Sequence, residues 1–296
     1  MIKVFIRLNA LSLIDAPHRT LRVSEVVLRV TFSGNIHFMT HKKTILVLQL
    51  RPEDATSDSE YACILKYGRL QAADTCRIRI EKQGIPDDLV PDDYSAIIVG
   101  GSPFDISTPE DRKSAIQKKI EADFNKLLKQ VVTQDLPFLG ACSGNGLLGN
   151  YLNTSISKKF GEPVSCITVT ITEAGKQDKL LTGLPEKIAV LLGHKEAVDT
   201  TPDGATLLVT GSDCPVQMFR VGDNVYATQF HPEGDAEEFM LRIDIYRNHG
   251  YFEPHEAELL KQRVSEKPTP HAQEILQRFV DYYYHSEKNT QASFPD

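Results

Sequence analysis

Cys142 stands in Gly140-Ala141-Cys142-Ser143-Gly144, after a short apolar run at 136–139 and before a helix-like stretch through Leu147, Leu148 and Tyr151. That is the strand, sharp turn and helix context of an exposed nucleophile. Small neighbours tolerate unusual backbone angles and close approach. A thiol at a helix N-terminus is also favoured as thiolate by the helix dipole. An ordinary cysteine, with a pKa of about 8.5, is only a few per cent ionised at neutral pH, and a pKa near ~6 would ionise most of it. Taken alone, the pentapeptide fits a small buried core cysteine equally well. His231 supplies a candidate base. It leaves the β-prone run Tyr226–Phe230 as His231-Pro232-Glu233. Residues i and i+2 of an extended segment point the same way, so Glu233 reaches the ring and selects one tautomer. A carboxylate-oriented histidine is a competent base for a thiol, although a lone His-Pro-Glu is more often a surface turn. Gly100-Gly101 ends the apolar run Ser95–Val99. A bare N–H there, paired with the N–H of Ser143, would form an oxyanion hole, with each donor contributing about 3–4 kcal/mol to acyl transfer.

The surrounding text supplies the elements that must hold these groups. Residues 44–50 and 95–99 are continuous apolar runs, the pattern of strands covered on both faces. Residues 57–67 read as a helix closed by Gly68, and Cys76, Ile78 and Ile80 alternate with arginines as a half-exposed strand. Ile116, Ile120, Phe124, Leu127, Leu128 and Val131 recur at helical spacing, which predicts a helix beginning at Ser107 or Thr108. Strand and helix alternate with short connections, so right-handed βαβ units and a parallel sheet follow. Later segments at 164–172, 205–209, 216–220 and 225–230 read as hairpin-type strands, with a Gly-Asp-Asn turn at 222–224. The expected fold is α/β: a mostly parallel open sheet flanked by helices in three layers, flavodoxin-like, with an added antiparallel region.

The chain has 296 residues, 41% hydrophobic and 25% charged, enough to bury a large core. A net charge of -7 argues against nucleic acid or an anionic membrane as the main partner. No apolar run is long enough to cross a bilayer. The five cysteines have neither disulfide-framework nor C-x-x-C spacing, so no metal is expected and a reducing, cytoplasmic setting is the default. The first 38 residues differ in charge: Lys3, Arg7, Arg19, Arg22 and Arg29 against Asp15 and Glu25. They read as an N-terminal extension: a targeting segment, an extra hairpin or a start assigned too early, with Met39 the natural beginning. Residues 39–250 are expected to form the main domain and 251–296 a helical C-terminal appendage.

Gly-Gly, an elbow cysteine and a strand ending in Gln-Phe-His-Pro-Glu together resemble the class I glutamine amidotransferases. The resemblance covers roughly residues 44–235 and is nearest to stand-alone relatives of the GMP synthase amidotransferase domain. Gly193-His194-Lys195-Glu196-Ala197-Val198 is similar to that family's Ser-His-x-Asp-x-Val stretch, and Pro215–Phe219 to the segment before its final histidine strand. The resemblance implies a Cys142, His231 and Glu233 triad, with Gly100, Gly101, Ser143, Gly146 and His194 around the oxyanion and substrate. The implied activity is hydrolysis of glutamine's γ-carboxamide through a γ-glutamyl thioester. The family's elbow continues Cys-x-Gly-x-Gln, where the glutamine helps hold substrate; here that position is Gly146. A γ-glutamyl peptidase acting on a larger γ-glutamyl amide is therefore the alternative, and a non-catalytic binding or regulatory protein on the same fold is a third. The sequence has neither a Walker loop nor a Ser-Gly-Gly-x-Asp signature, so no nucleotide cofactor is expected. Ammonia would pass to a separate acceptor or synthetase protein, and the substrate is a small molecule.

Overall fold

The structure, a computed structural model, describes residues 26–30, 36–40, 42–248 and 252–286. Of the expected N-terminal extension, residues 1–25 and 31–35 lie outside those described. Strands β1 (Val26–Val30) and β2 (Ile36–Thr40) pair antiparallel. They belong to a unit, Met1–Lys43, distinct from the unit Thr44–Asp296.

The second unit is built on a nine-stranded sheet. In chain order its elements are β3 (Ile45–Gln49), α1 (Asp54–Gly68), β4 (Thr75–Arg79), α2 (Ile80–Gln83), β5 (Ala96–Val99), α3 (Ala115–Gln134), β6 (Phe138–Ala141) and α4 (Ser143–Tyr151). There follow β7 (Ile156–Ser157), β8 (Glu162–Ile171), α5 (Glu173–Lys176), β9 (Lys187–His194), β10 (Ala197–Val198), β11 (Ala205–Thr210), β12 (Met218–Val221) and β13 (Val225–Thr228). Helices α6 (Ala236–Tyr246), α7 (Ala257–Ser265) and α8 (Pro270–Val280) close the chain. The nine-stranded order is β4-β3-β5-β6-β13-β12-β11-β8-β9, with β7 and β10 forming a separate antiparallel pair. The first five strands run parallel, and the last four join by antiparallel pairing. The expected α/β fold class is therefore observed, antiparallel region included.

Local chemistry explains most boundaries. Every residue of β3 and β5 is buried, as a strand covered by helices on both faces requires. Helix α3 starts at Ala115, seven or eight residues later than the periodicity predicts. Ser114 caps it, its Oγ accepting from the Gln117 N–H at 3.2 Å. The backbone N–H groups of Ile106 and Ser107 are drawn instead to the Glu196 carboxylate, so that stretch stays a loop. Strand β9 was not expected from the sequence.

Helix α8 is part of the core and not an attachment to it. Ala272, Ile275, Leu276, Phe279 and Val280 are buried in one cluster with Ile45, Val47, Leu139, Tyr226 and Phe230. Phe279 meets Tyr226 edge-on, with ring centroids 6.4 Å apart. Phe279→Ala should cost about 3–5 kcal/mol. At roughly 2–4 °C per kcal/mol the melting midpoint should fall by about 6–20 °C. A fall under two degrees in a thermal melt would show that α8 does not hold the core.

Candidate active site

Three neighbouring parallel strands, β5, β6 and β13, end together, and each expected reactive segment leaves one of them. Ala141 pairs with Thr228 in the last rung of β6 and β13. The Cys142 N–H then donates to the Thr228 carbonyl at 2.8 Å, and the chain turns sharply. Cys142 sits at φ 52°, ψ -94°, a conformation that costs a non-glycine residue of order 1–3 kcal/mol. Its carbonyl accepts the N–H groups of Asn145 and Gly146 at 3.0 and 3.2 Å, which starts α4. Small residues are required: a Cβ at Gly140 would lie 2.8 Å from the Gly144 carbonyl carbon. The elbow expected from the sequence is thus present.

His231 follows β13, and its N–H donates to the Leu191 carbonyl of β9 at 2.9 Å. Its Nδ1 lies 2.6 Å from Glu233 Oε1, the pairing expected from the i, i+2 spacing. Both side chains are almost fully buried. Phe239 packs edge-on against the imidazole at 5.4 Å. Among the described residues no hydrogen bond joins the Cys142 thiol to the His231 ring. An open cleft of about 40 Å³ lies over the elbow, lined by Cys142, Ser143, Gly146, Ile106, Glu196 and Gln229.

The two glycines behave differently from a free oxyanion hole. The Gly100 N–H extends the sheet by donating to Leu48 O at 3.1 Å. The Gly101 N–H faces Glu60 Oε2 at 3.3 Å. Its expected role as a vacant donor is therefore not met as the site stands, because a carboxylate already occupies it. Ser143 ties the glycine loop to the elbow: its Oγ accepts the Ser102 N–H at 2.7 Å. Gly146 lies one turn along α4 and faces the cleft, where an added Cβ would meet Ile106 Cγ1 at 3.4 Å, an ordinary contact. His194 borders the same cleft but is buried and bonded, Nδ1 to Glu196 O at 2.9 Å and Nε2 to Glu162 Oε2 at 3.0 Å. Glu162, His194 and Cys214 bring ligand-type atoms within 4.8 Å of one another. Glu162 Oε2 also accepts from Gln217 Nε2 at 2.7 Å, so hydrogen bonding accounts for the carboxylate and the ring in this grouping.

Sequence reasoning missed a buried set of charges beneath His231. Arg51 Nε donates to Glu60 Oε2 at 2.7 Å, and Gln49 Nε2 donates to Glu60 Oε1 at 3.0 Å. Arg242 Nη2 lies 3.4 Å from Glu60 Oε2 and 3.6 Å from Glu233 Oε1, and its Nε bonds Glu238 one turn back on α6. The one local signal was the i, i+4 spacing of Glu238 and Arg242, which fits a solvated helix face as well.

These charges and the burial reverse the electrostatic expectation for the thiol. Burial pushes Cys142 up to about 11, although Arg51 and Arg242 pull the other way. The lowered thiol that the helix N-terminus suggests is therefore corrected: desolvation outweighs the pull of Arg51 and Arg242. Burial likewise holds His231 below the ordinary imidazole range; Arg242 and Arg51 add to this and Glu233 opposes it. Burial alone would raise Glu233, but the charge and hydrogen bond of His231, with Arg242, hold it well below the carboxylate range. The resting pair is a neutral thiol and a neutral imidazole. With a pKa about four units above pH 7, only about one thiol in ten thousand is ionised at neutrality. Iodoacetamide alkylation of Cys142 should therefore rise about tenfold per pH unit from pH 6 to 9. A plateau near neutral pH, followed by mass spectrometry on the Cys142 peptide, would reveal a preformed thiolate instead.

Comparisons with known proteins agree with this architecture. Residues 66–251 match the family model for glutamine amidotransferase class-I. A glutamine-hydrolyzing GMP synthase subunit from Sulfurisphaera tokodaii is 28% identical over 160 residues, covering 53% of this chain and 75% of that protein. Gamma-glutamyl peptidase 3 of Arabidopsis thaliana is 25% identical over 166 residues, 54% of this chain and 62% of that one. A crystal structure of a glutamine amidotransferase from Thermotoga maritima superposes with a TM-score of 0.65 at 19% identity, over 82% of this chain and 99% of that chain. At that identity the superposition speaks for the fold, and the family model speaks for descent: the chain belongs to the class I glutamine amidotransferase family.

Proposed function

We propose that the chain is a Cys142–His231–Glu233 amidase that hydrolyses the γ-carboxamide of glutamine to glutamate and ammonia. The observation that carries this reading is that the strained Cys142 elbow, which lines an open cleft, and the Glu233-bonded His231 leave the ends of two paired strands. With both groups neutral at rest, His231 takes the thiol proton as Sγ attacks the carboxamide carbon. Glu233 orients the ring and stabilises the imidazolium that forms. The Ser143 and Gly101 N–H groups hold the oxyanion once Gly101 exchanges its long bond to Glu60 for the substrate oxygen. His231 returns the proton to the leaving nitrogen, ammonia departs, and water then cleaves the γ-glutamyl thioester. A separate synthetase-type protein would receive the ammonia, the arrangement suggested by the likeness to one component of a GMP synthase. No metal or cofactor enters this sequence of steps, and the reaction suits a cytoplasmic enzyme.

Gly146 supports a second reading, a γ-glutamyl peptidase. It leaves open the part of the cleft into which a side chain would project. A Gln there could donate and accept one hydrogen bond each to the substrate's polar end. Losing one such bond costs about 0.5–1.5 kcal/mol, roughly 2- to 13-fold in kcat/KM. The space gained favours a larger leaving group.

Two measurements test the pair of readings. Cys142→Ala should abolish turnover of glutamine and of a γ-glutamyl dipeptide while leaving the melting midpoint near wild type. Residual turnover at more than a few per cent would remove the thiol from the mechanism. Gly146→Gln should raise kcat/KM for glutamine by roughly 2- to 13-fold and lower it for the dipeptide. Strong wild-type glutamine hydrolysis, unimproved by the substitution, would mean that other residues hold the substrate.

A further inference from the structure

Arg242 lies against His231 in an unusual way. Its Nη1 is 3.2 Å from Nδ1 and 3.4 Å from Nε2 of the imidazole. A donor in the ring plane can approach one of these nitrogens closely but not both. Near-equal distances therefore place the guanidinium over the ring face. Phe239 closes the clamp: the guanidinium carbon lies 4.9 Å from its centroid, and the same ring meets His231 edge-on. The guanidinium is anchored by Glu60 and Glu238, and by the same Glu233 oxygen that bonds the imidazole. Arg242, Glu60, Glu233 and Glu238 are all buried, so solvent screens these interactions little.

We propose that Arg242 is a positioning residue for the proposed base: laid across the imidazole, it fixes the ring in its Glu233-bonded pose and holds it as the neutral form that can accept the Cys142 proton. The inference rests on the amidase reading for its catalytic meaning, but not for its test. A fixed cation over the ring face makes a second positive charge on that ring unfavourable. It leaves the ring edge at Nε2 open, since no in-plane hydrogen bond is spent on it. The groups facing His231 are Glu233 beside it, Arg242 and Glu238 from α6, Glu60 from α1, and Arg51 beyond β3. An added Cβ at Gly101 would lie 2.5 Å from Arg51 Nη2 and 2.9 Å from His231 Cε1, so Arg51 also borders the ring. Burial raises Glu238 to about 7. Below that pH Glu238 carries a proton, so Arg242 is balanced by Glu60 and Glu233 while His231 titrates.

The His231 Cε1 proton, followed by NMR in imidazole-labelled protein and assigned by its loss in His231→Gln, reads the titration without any substrate. Arg242→Met keeps much of the volume and removes the charge. It should raise the His231 midpoint by about one pH unit or more. The acid limb of kcat/KM should move with it. Arg242→Lys, which restores the charge without the planar fork, should recover most of the midpoint but not all of kcat. Glu60→Gln gives the opposite sign: with one counter-charge removed from both arginines, the midpoint should fall. If Arg242→Met does not fold, Glu60→Gln still decides. A His231 midpoint unchanged in every variant that melts near wild type would overturn the proposal. A protein inactive on glutamine whose midpoint moves as described would retain this inference and remove the amidase reading instead.

Discussion

The pairing of β6 with β13 is the constraint on which the site depends. Their register sets Ala141 opposite Thr228, and the next rung runs from the Cys142 N–H to the Thr228 carbonyl. Cys142 can then hold its strained conformation, because its N–H and its carbonyl are both engaged by neighbours that fold with the sheet. On the other side of β6, β5 delivers Gly100-Gly101 to the same edge. Reactive groups gather outside the carboxyl ends of parallel strands because there the connections leave the sheet and backbone groups become free. Weakening the β6–β13 register would separate thiol from imidazole even if each kept its own partners.

Burial carries the electrostatics. Desolvation raises the thiol against the pull of Arg51 and Arg242 and lowers the imidazole, so both rest neutral. In the proposed attack charge would develop where Glu233 is already ionised and bonded to Nδ1. Stabilising charge only as it forms favours the transition state over the resting enzyme, the condition for raising kcat. A preformed thiolate would have the opposite effect: greater reactivity with any electrophile before substrate arrives.

What the sequence made legible follows from the range of each interaction. Continuous apolar runs at 44–50 and 95–99 read correctly as covered strands because burial on both faces leaves a local pattern. The triad candidates were legible because an elbow needs small neighbours and Glu233 lies two residues from His231. Strand β9 was missed because a short mixed apolar run does not separate strand from helix. The start of α3 was misplaced because Glu196, some ninety residues away, captures the N–H groups of Ile106 and Ser107. The thiol's electrostatics were misread for the same reason. A helix terminus is visible locally; the packing that desolvates the thiol is not. Glu60 and Arg242 are 182 positions apart and have no shared sequence signal.

Counting the buried charges explains why one member of the cluster stands out. Arg51 and Arg242 contribute two positive charges; Glu60, Glu233 and Glu238 offer three carboxylates around a neutral His231. Two carboxylates can be balanced and the third cannot. Glu233 is held ionised by His231 and Arg242, and Glu60 is shared between both arginines. Glu238 is left with the arginine already committed elsewhere, and burial raises it to about 7. Its folded pKa exceeds its unfolded one, so this group's stabilising share is complete below the unfolded carboxylate range and is lost as pH rises through about 7. Burial holds His231, which faces the same cluster, below the ordinary imidazole range. Ionising Glu238 adds a negative charge that draws on Arg242, the cation lying over the imidazole. Glu238 and the His231 imidazole thus share one guanidinium, which contacts both.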